Sequence, residues 1–354
     1  MNRRNRLLVS IGIPVLLLIV VGALYLHQQL AASSAGVNTP AAPSCKGQLT
    51  TLKFALDWTP NTNHTGLYVA QEKGWYAAQC LKVQILPYSA NVSPDTLVSS
   101  GQAFAGISST ESIVADAAVN QPLVSVAAIL QHNTSALVTL SGSGLSSPHD
   151  LDGKTYGGFG APYEAAVVGA IIRQSGGKGV FKNVTLNIDT LQALETKQID
   201  FAWVFEGWEV IEAERAGFKL NVFPITSHGI PDYYTPNIVT SPQEIRQHPD
   251  LLRRFMAATV QGYEYARTHA HEAAQMLIKG AGANTFPDQG LVFASQDFLS
   301  THYADPGRTW GRQDAAAWQG YPDFMLRNHA ILNADNQPVT SMNFNALYTD
   351  QFLA

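Results

Sequence analysis

Cysteine is nearly absent from this 354-residue chain, which carries only Cys45 and Cys80. Without a CxxC pair, neither a thioredoxin-type redox site nor a cysteine-rich zinc site can be assembled. Charge is scarce as well: Asp, Glu, Lys and Arg make up 14% of the residues, the formal net charge is −5, and the basic residues are scattered. A nucleic-acid partner needs a concentrated basic face, so none is expected. Catalytic signatures are missing too, with no nucleophile elbow, no HExxH and no phosphate-binding P-loop. His269 and His271 stand two apart on an expected helix and face different directions, so they read as solvated surface histidines rather than a metal pair.

One long apolar run is present. Arg3, Arg4 and Arg6 precede an uncharged stretch from Leu7 to Leu26, about the length that crosses a ~30 Å hydrocarbon layer as a helix. Residues 1–30 therefore read as a membrane anchor or a cleaved export signal, with Leu30, Ala31 and Ala32 offering a small-residue site. Either way the basic flank stays in the cytoplasm and the remainder lies outside, on the outer face of the cytoplasmic membrane or as a periplasmic or secreted protein. Residues 31–48, rich in Ala, Ser, Gly and Pro, read as a flexible linker. In an oxidising compartment Cys45 and Cys80 are expected to form a disulfide; a lipid-modified Cys45 is the competing reading, with Ala42, Pro43 and Ser44 a poor signal for it.

Strand-like and helix-like runs alternate from Leu49 to about Phe223, the pattern of an α/β protein with mainly parallel sheets. The expected strands are Leu52–Leu56, Lys82–Leu86, Ala103–Ile107, Val124–Ile129, Ala136–Leu140, Thr155–Gly158, Thr185–Ile188, Phe201–Val204 and Leu220–Phe223. Leu97–Ala105 and Leu194–Ala202 echo each other, each ending a helix and opening a strand on Phe and Ala, which points to two lobes of related topology. The Gly, Ser and Pro content of Ser141–Asp152 marks a passage between lobes, and the stretch Tyr234–Pro242 marks the return. The expected division is 49–142 with 237–354 as a discontinuous first lobe and 143–236 as the second. Leu251, Phe255, Ala258, Gly262 and Ala266 recur at helical spacing in the last third, whose helices should pack outside the sheets.

The densest polar cluster is DWTPNTNHTG, Asp57–Gly66, between the first strand and a helix that Gly74 should end. Four groups follow strands and so should project into one crevice: Asp57, Trp58, Asn63 and His64; Ser108, Thr110 and Glu111; Gly160, Ala161, Tyr163 and Glu164; and Trp203, Glu206 and Trp208. Their aromatic faces and carboxylates suit a flat heteroaromatic ligand bearing exocyclic amines, and the lack of Lys or Arg argues against a phosphate. Each also has a plainer reading. Trp203 is as consistent with core as with a ligand platform, Trp208 can pack on the sheet, and Glu111, Glu164 and Glu206 near helix amino termini stabilise those helices by themselves.

DWTPNTNHTGLYVAQEKGWY, PHDLDGKTYGG, DFAWVFEGWEVIEAERAG and DYYTPNIVTSPQEIRQHPDLLRRFMAATVQGYEYA resemble segments of the ABC-importer substrate-binding proteins that carry thiamine pyrimidine precursors, over roughly residues 47–330. The resemblance implies a two-lobed periplasmic-binding-protein-like α/β fold with a hinge and a ligand cleft. It also implies a non-enzymatic monomer without a cofactor, which hands formylaminopyrimidine or hydroxymethylpyrimidine to an ABC permease and its ATPase. Carried over, it places the pyrimidine among Trp58, Glu111, Tyr163, Glu206 and Trp208. Carriers of riboflavin or other small organic ligands are the alternative within this class. Fungal thiamine-pyrimidine synthases share the fold and are the enzymatic alternative. Their pyridoxal-phosphate lysine and consumed histidine match Ser108 and Ser112, and their cysteine-rich run matches YYTPNIVTS, so that chemistry has no residues here. Relatives of the pyrimidine branch usually have an aromatic and a Gln at Ser109 and Thr110, and the smaller wall here suits a larger ring system.

Overall fold

The computed structural model describes residues 45–353 apart from 90 and 187–188. The expected membrane segment Leu7–Leu26 and the linker up to Ser44 lie outside the described residues, among which no helix is long and apolar enough to cross a membrane.

Among the described residues ten strands form two sheets: β1 (Thr50–Ala55), β2 (Leu81–Leu86), β3 (Ala105–Ser108), β4 (Val124–Ala128), β5 (Ser135–Leu140), β6 (Thr155–Gly158), β7 (Lys182–Thr185), β8 (Phe201–Phe205), β9 (Leu220–Pro224) and β10 (Asn237–Thr240). The helices that frame the site are α1 (Thr65–Glu72), α2 (Pro94–Ser99), α3 (Thr110–Ala118), α4 (Glu164–Gln174), α5 (Pro249–Thr268), α6 (Ala270–Ala281), α7 (Gln289–Ser300) and α8 (Ala315–Arg327). The first sheet has the order β2-β1-β3-β10-β4 and the second β7-β6-β8-β5-β9. This is the two-lobed α/β architecture expected from the alternation of elements.

In each sheet three strands run parallel, β2-β1-β3 and β7-β6-β8, and the two that follow pair antiparallel. The sheets are thus mixed rather than mainly parallel. The two echoed segments lead into β3 and β8, which occupy equivalent places in the two sheets. The strand expected at Thr185–Ile188 forms at Lys182–Thr185, and 187–188 lie outside the described residues.

The chain passes to the second sheet between β4 and β5 and returns between β9 and β10. Ser135–Leu140 is therefore the fourth strand of the second sheet, pairing with β8 and β9, and Ser141–Asp152 lies downstream of the passage. Loop composition marks turns but carries no information about which sheet the preceding strand joins.

Cys45 and Cys80 form a disulfide with their Cα atoms 5.1 Å apart, ahead of the parallel pair β1 and β2. Two large apolar clusters fill the space between sheets and helices. One holds Phe54, Leu67, Phe255, Tyr263 and Trp310, and the other Leu137, Tyr156, Phe201 and Trp318. Helix α1 reaches α5 through glycines: a Cβ on Gly66 would overlap the Tyr263 ring, and one on Gly262 would overlap the Gly66 carbonyl. That close approach fixes the amino terminus of α1, and with it the polar turn that precedes it.

Candidate functional site

The turn Asp57–His64 is held by local caps. Asn61 accepts from the Asn63 amide at 2.9 Å, and the Asn61 amide donates to His64 Nδ1 at 3.2 Å, closing a capping box around a 3-10 turn. Since Nδ1 accepts, the ring proton sits on Nε2, which donates to Asp57 Oδ1 at 2.9 Å. His64 is fully buried with both nitrogens used, so it orients Asp57 and has no ring nitrogen left for a ligand. Tyr303 and Tyr263 donate to the carbonyls of Thr62 and Asn63 at 2.5 and 2.6 Å, and Asn63 Oδ1 is buried without a partner. Trp58 projects from this turn half exposed and packs on Tyr88, with ring centroids 4.9 Å apart.

At the end of β3, Ser109 caps α3 by accepting from the Ser112 amide at 3.1 Å, and Thr110 donates to the Tyr234 carbonyl at 2.6 Å. Glu111 is 3% exposed and receives one long bond, 3.3 Å, from Tyr321; its Oε2 has no partner. Burial raises its pKa, against the opposing effect of the Tyr233, Ser109 and Tyr321 hydroxyls beside it. Tyr163, from the second sheet's side, brings its hydroxyl next to Glu111, Ser109 and Ser112. Tyr233 stacks on Tyr321 at 3.5 Å and its own Oη is unpartnered. Tyr233 lies four residues ahead of β10 and Tyr321 on α8, and no local spacing relates two rings so far apart in sequence.

Glu164 is used internally. Its carboxylate accepts from Tyr156 Oη at 2.7 Å, from the Phe159 amide at 3.0 Å and from the Ala161 amide, so it pins the loop Phe159–Ala161 instead of facing a ligand. A Cβ on Gly158 would overlap that carboxylate, which explains glycine there. The loop so held exposes Phe159, which meets Tyr163 and Trp203 edge-on at 6.2 and 6.3 Å. Trp203 itself is mostly buried. After β8 comes a π-turn, Glu206–Val210. Burial raises the Glu206 pKa and the neighbouring His302 opposes this. Trp208 turns away toward α6 and α7, packing on Phe286 at 6.5 Å and on the Leu277 and Val292 cluster. These helix contacts come from far downstream in the sequence, where no local pattern could report them.

The arrangement thus offers an exposed aromatic face after a strand of each sheet, Trp58 after β1 and Phe159 after β6, while Glu111 after β3 meets Tyr163 after β6 and Tyr233 ahead of β10. It favours a flat ligand that donates hydrogen bonds. Among the described residues no cluster of His, Cys, Asp and Glu could hold a metal ion.

The two passages between sheets are joined by His132, whose Nδ1 is 2.5 Å from Asp232 Oδ2 and whose Nε2 is 3.1 Å from Asp305 Oδ1. Bonding to both carboxylates requires a proton on each nitrogen. Burial alone would lower the imidazole pKa, but the bonds and charges of Asp232 and Asp305 outweigh it and raise it. The stabilisation is therefore complete below about pH 6.5 and lost as pH rises through the raised folded-state value. Comparing melts of the wild type and His132→Gln, we expect the wild type to be more stable by about 0.5–1 kcal/mol at pH 6 and the difference to vanish near pH 9; the pair is half exposed, which keeps the effect small.

The sequence matches the NMT1/THI5 like family over residues 61–273. It is 26% identical to the formylaminopyrimidine-binding protein of Halalkalibacterium halodurans over 278 residues, 77% of this chain and 83% of that protein. It is 24% identical to the 4-amino-5-hydroxymethyl-2-methylpyrimidine phosphate synthase of Legionella pneumophila, over 77% of this chain and 86% of that one. Among solved structures, the alkanesulfonate-binding protein SsuA of Xanthomonas axonopodis pv. citri superposes with a TM-score of 0.61 at 13% identity, covering 79% of this chain and 92% of that one, which shows a shared fold. With more than half of its length matched, the chain belongs to the NMT1/THI5-like family.

Proposed function

We propose that this chain is the extracytoplasmic substrate-binding protein of an ABC importer, tethered to the outer face of the cytoplasmic membrane or released, and that it captures a thiamine pyrimidine precursor. The two sheets act as its lobes, and the passages at 129–134 and 225–236 act as the hinge. The observation that carries the reading is an exposed aromatic face at a strand end of each sheet, Trp58 and Phe159, together with a buried carboxylate, Glu111, whose Oε2 has no hydrogen-bond partner. An aminopyrimidine stacks on such faces and donates its amine to such an oxygen. Asp57, Glu206 and Tyr163 complete the polar set. The relatives named for formylaminopyrimidine binding and for pyrimidine phosphate synthesis support the ligand class. Binding is favoured over synthesis because serines stand at 108 and 112, and serine forms no Schiff base.

Tryptophan-fluorescence and calorimetric titration with formylaminopyrimidine and hydroxymethylpyrimidine test the reading. Saturable binding at or below micromolar concentration is expected, weakened about tenfold by Trp58→Ala, the loss of roughly one stacking contact. Absence of any response to both pyrimidines would refute the ligand class.

A further inference from the structure

Helix α7 carries a serine that touches both halves of the site. Ser295 is fully buried, and its hydroxyl donates to the Gly207 carbonyl, in the π-turn beside Glu206 and Trp208. A carbonyl only accepts, so the single Ser295 proton is committed to it. The Thr62 hydroxyl, 2.5 Å from Ser295 Oγ, must then be the donor of the second bond. A directed chain of buried hydrogen bonds therefore runs from Thr62, in the turn that presents Asp57 and Trp58, through Ser295 to Gly207 in the other sheet's turn. The ends are fixed independently. Tyr303 holds the Thr62 carbonyl, and Gly207 rests directly on α7, where a Cβ would come within 2.8 Å of Leu299 and 3.1 Å of Phe298. On the same face Arg215, in the helix after the π-turn, makes a two-point ion pair with Asp288 at 2.7 and 2.9 Å, just ahead of α7.

We propose that Ser295 is a positioning residue that sets the separation between the two walls of the binding site and so selects ligand by fit. The inference deepens the binding reading, but the tie itself belongs to the chain and can be tested without ligand. It implies that this edge of the crevice stays closed and that any opening occurs at the opposite edge. Thr62 and Ser295 touch no ligand in this scheme; they act through the turns they hold.

Hydrogen–deuterium exchange on the full chain decides the matter, comparing wild type, Ser295→Ala, Thr62→Val and the double variant. Each single variant should speed exchange about tenfold in both 57–66 and 203–210, segments of different sheets, and the double variant should add nothing further because one chain is cut once. Ser295→Cys, nearly isosteric with a weaker donor, should recover part of the protection. In parallel, Ser295→Ala should change the ratio of affinities for formylaminopyrimidine and hydroxymethylpyrimidine at least threefold. Exchange that rises only within 289–300, or uniformly throughout the chain, would overturn the proposal, as would an additive double variant. If the wild type binds neither pyrimidine, the ligand reading fails while the exchange pattern still decides the role of Ser295.

Discussion

Gly262→Ala is expected to lose about 3 kcal/mol of stability, roughly 4–5 °C in melting temperature for a chain of this size, although alanine in a helix interior would by propensity alone add about 1 kcal/mol. The sign is decided by space. The added Cβ would overlap the Gly66 carbonyl oxygen, a backbone atom that cannot rotate aside, and would press on Ala70 Cβ at 3.2 Å. Relief requires α1 to move off α5, which removes Leu67 and Val69 from the core they share with Phe255 and Tyr263. Because the capping turn Asn61–His64 runs directly into α1, the shift also displaces Asp57 and Trp58, and the pyrimidine binding proposed above should weaken along with stability. Scanning calorimetry of Gly262→Ala beside Gly47→Ala checks this, since a Cβ on Gly47 meets only Cys45 Sγ at 3.9 Å and should change stability by less than about 0.5 kcal/mol. Equal melting temperatures for the two variants would contradict the helix contact.

The second large effect has the opposite sign. Asp95, in the first turn of α2, is pushed up to about 7 by burial first and by the charges of Asp116 and Asp57, with the nearby Ser108 hydroxyl partly opposing. Asp116 is pushed up to about 6 by burial. Asp95 Oδ1, Asp116 Oδ2 and Ser108 Oγ are all closed off from solvent without a hydrogen-bond partner. A carboxyl whose folded-state pKa lies above its unfolded value near 3.8 binds more protons when folded, so its contribution to stability falls as pH rises between about 4 and 7. The displacement corresponds to an upper limit of roughly 4 kcal/mol, reduced because the residue as a whole is only half-buried, and Asn forfeits up to ~1 kcal/mol of favourable interaction with the helix amino terminus. Asp95→Asn should therefore stabilise the protein by about 1–2 kcal/mol at pH 8 and by little at pH 4. Denaturant unfolding of both proteins at the two pH values measures the difference; a variant no more stable at pH 8 than the wild type would show that the carboxylate is compensated.

How much of this could be read from the residues alone depends on how far away each residue's partner lies. The turn Asp57–His64, the stop of α1 at Gly74 and the strand ends that carry Ser108, Tyr163 and Glu206 rest on caps, breakers and periodicity within some ten residues, so the amino-acid order contains them. The two-lobed α/β class follows from the alternation of those segments, and the equivalent places of β3 and β8 from the echo between them. Whether a polar residue at a strand end faces a ligand or a neighbour is a different question. His64 is consumed by Asp57 and Asn61, and Glu164 by Tyr156 and two amides, all within eight residues, so these pairings belong to the local part, as the capping box at Asn61 illustrates. Trp208 is drawn to Phe286, and Tyr233 meets Tyr321, across long stretches of chain. The exchange of β5 and β10 between sheets likewise depends on antiparallel pairing with strands far away in sequence. Local order set the elements and the chemistry presented at their ends. Tertiary packing decided where Trp208 and Tyr233 came to rest and which sheet received β5 and β10, because burial and long-range pairing are properties of the assembled neighbourhood and not of the segment.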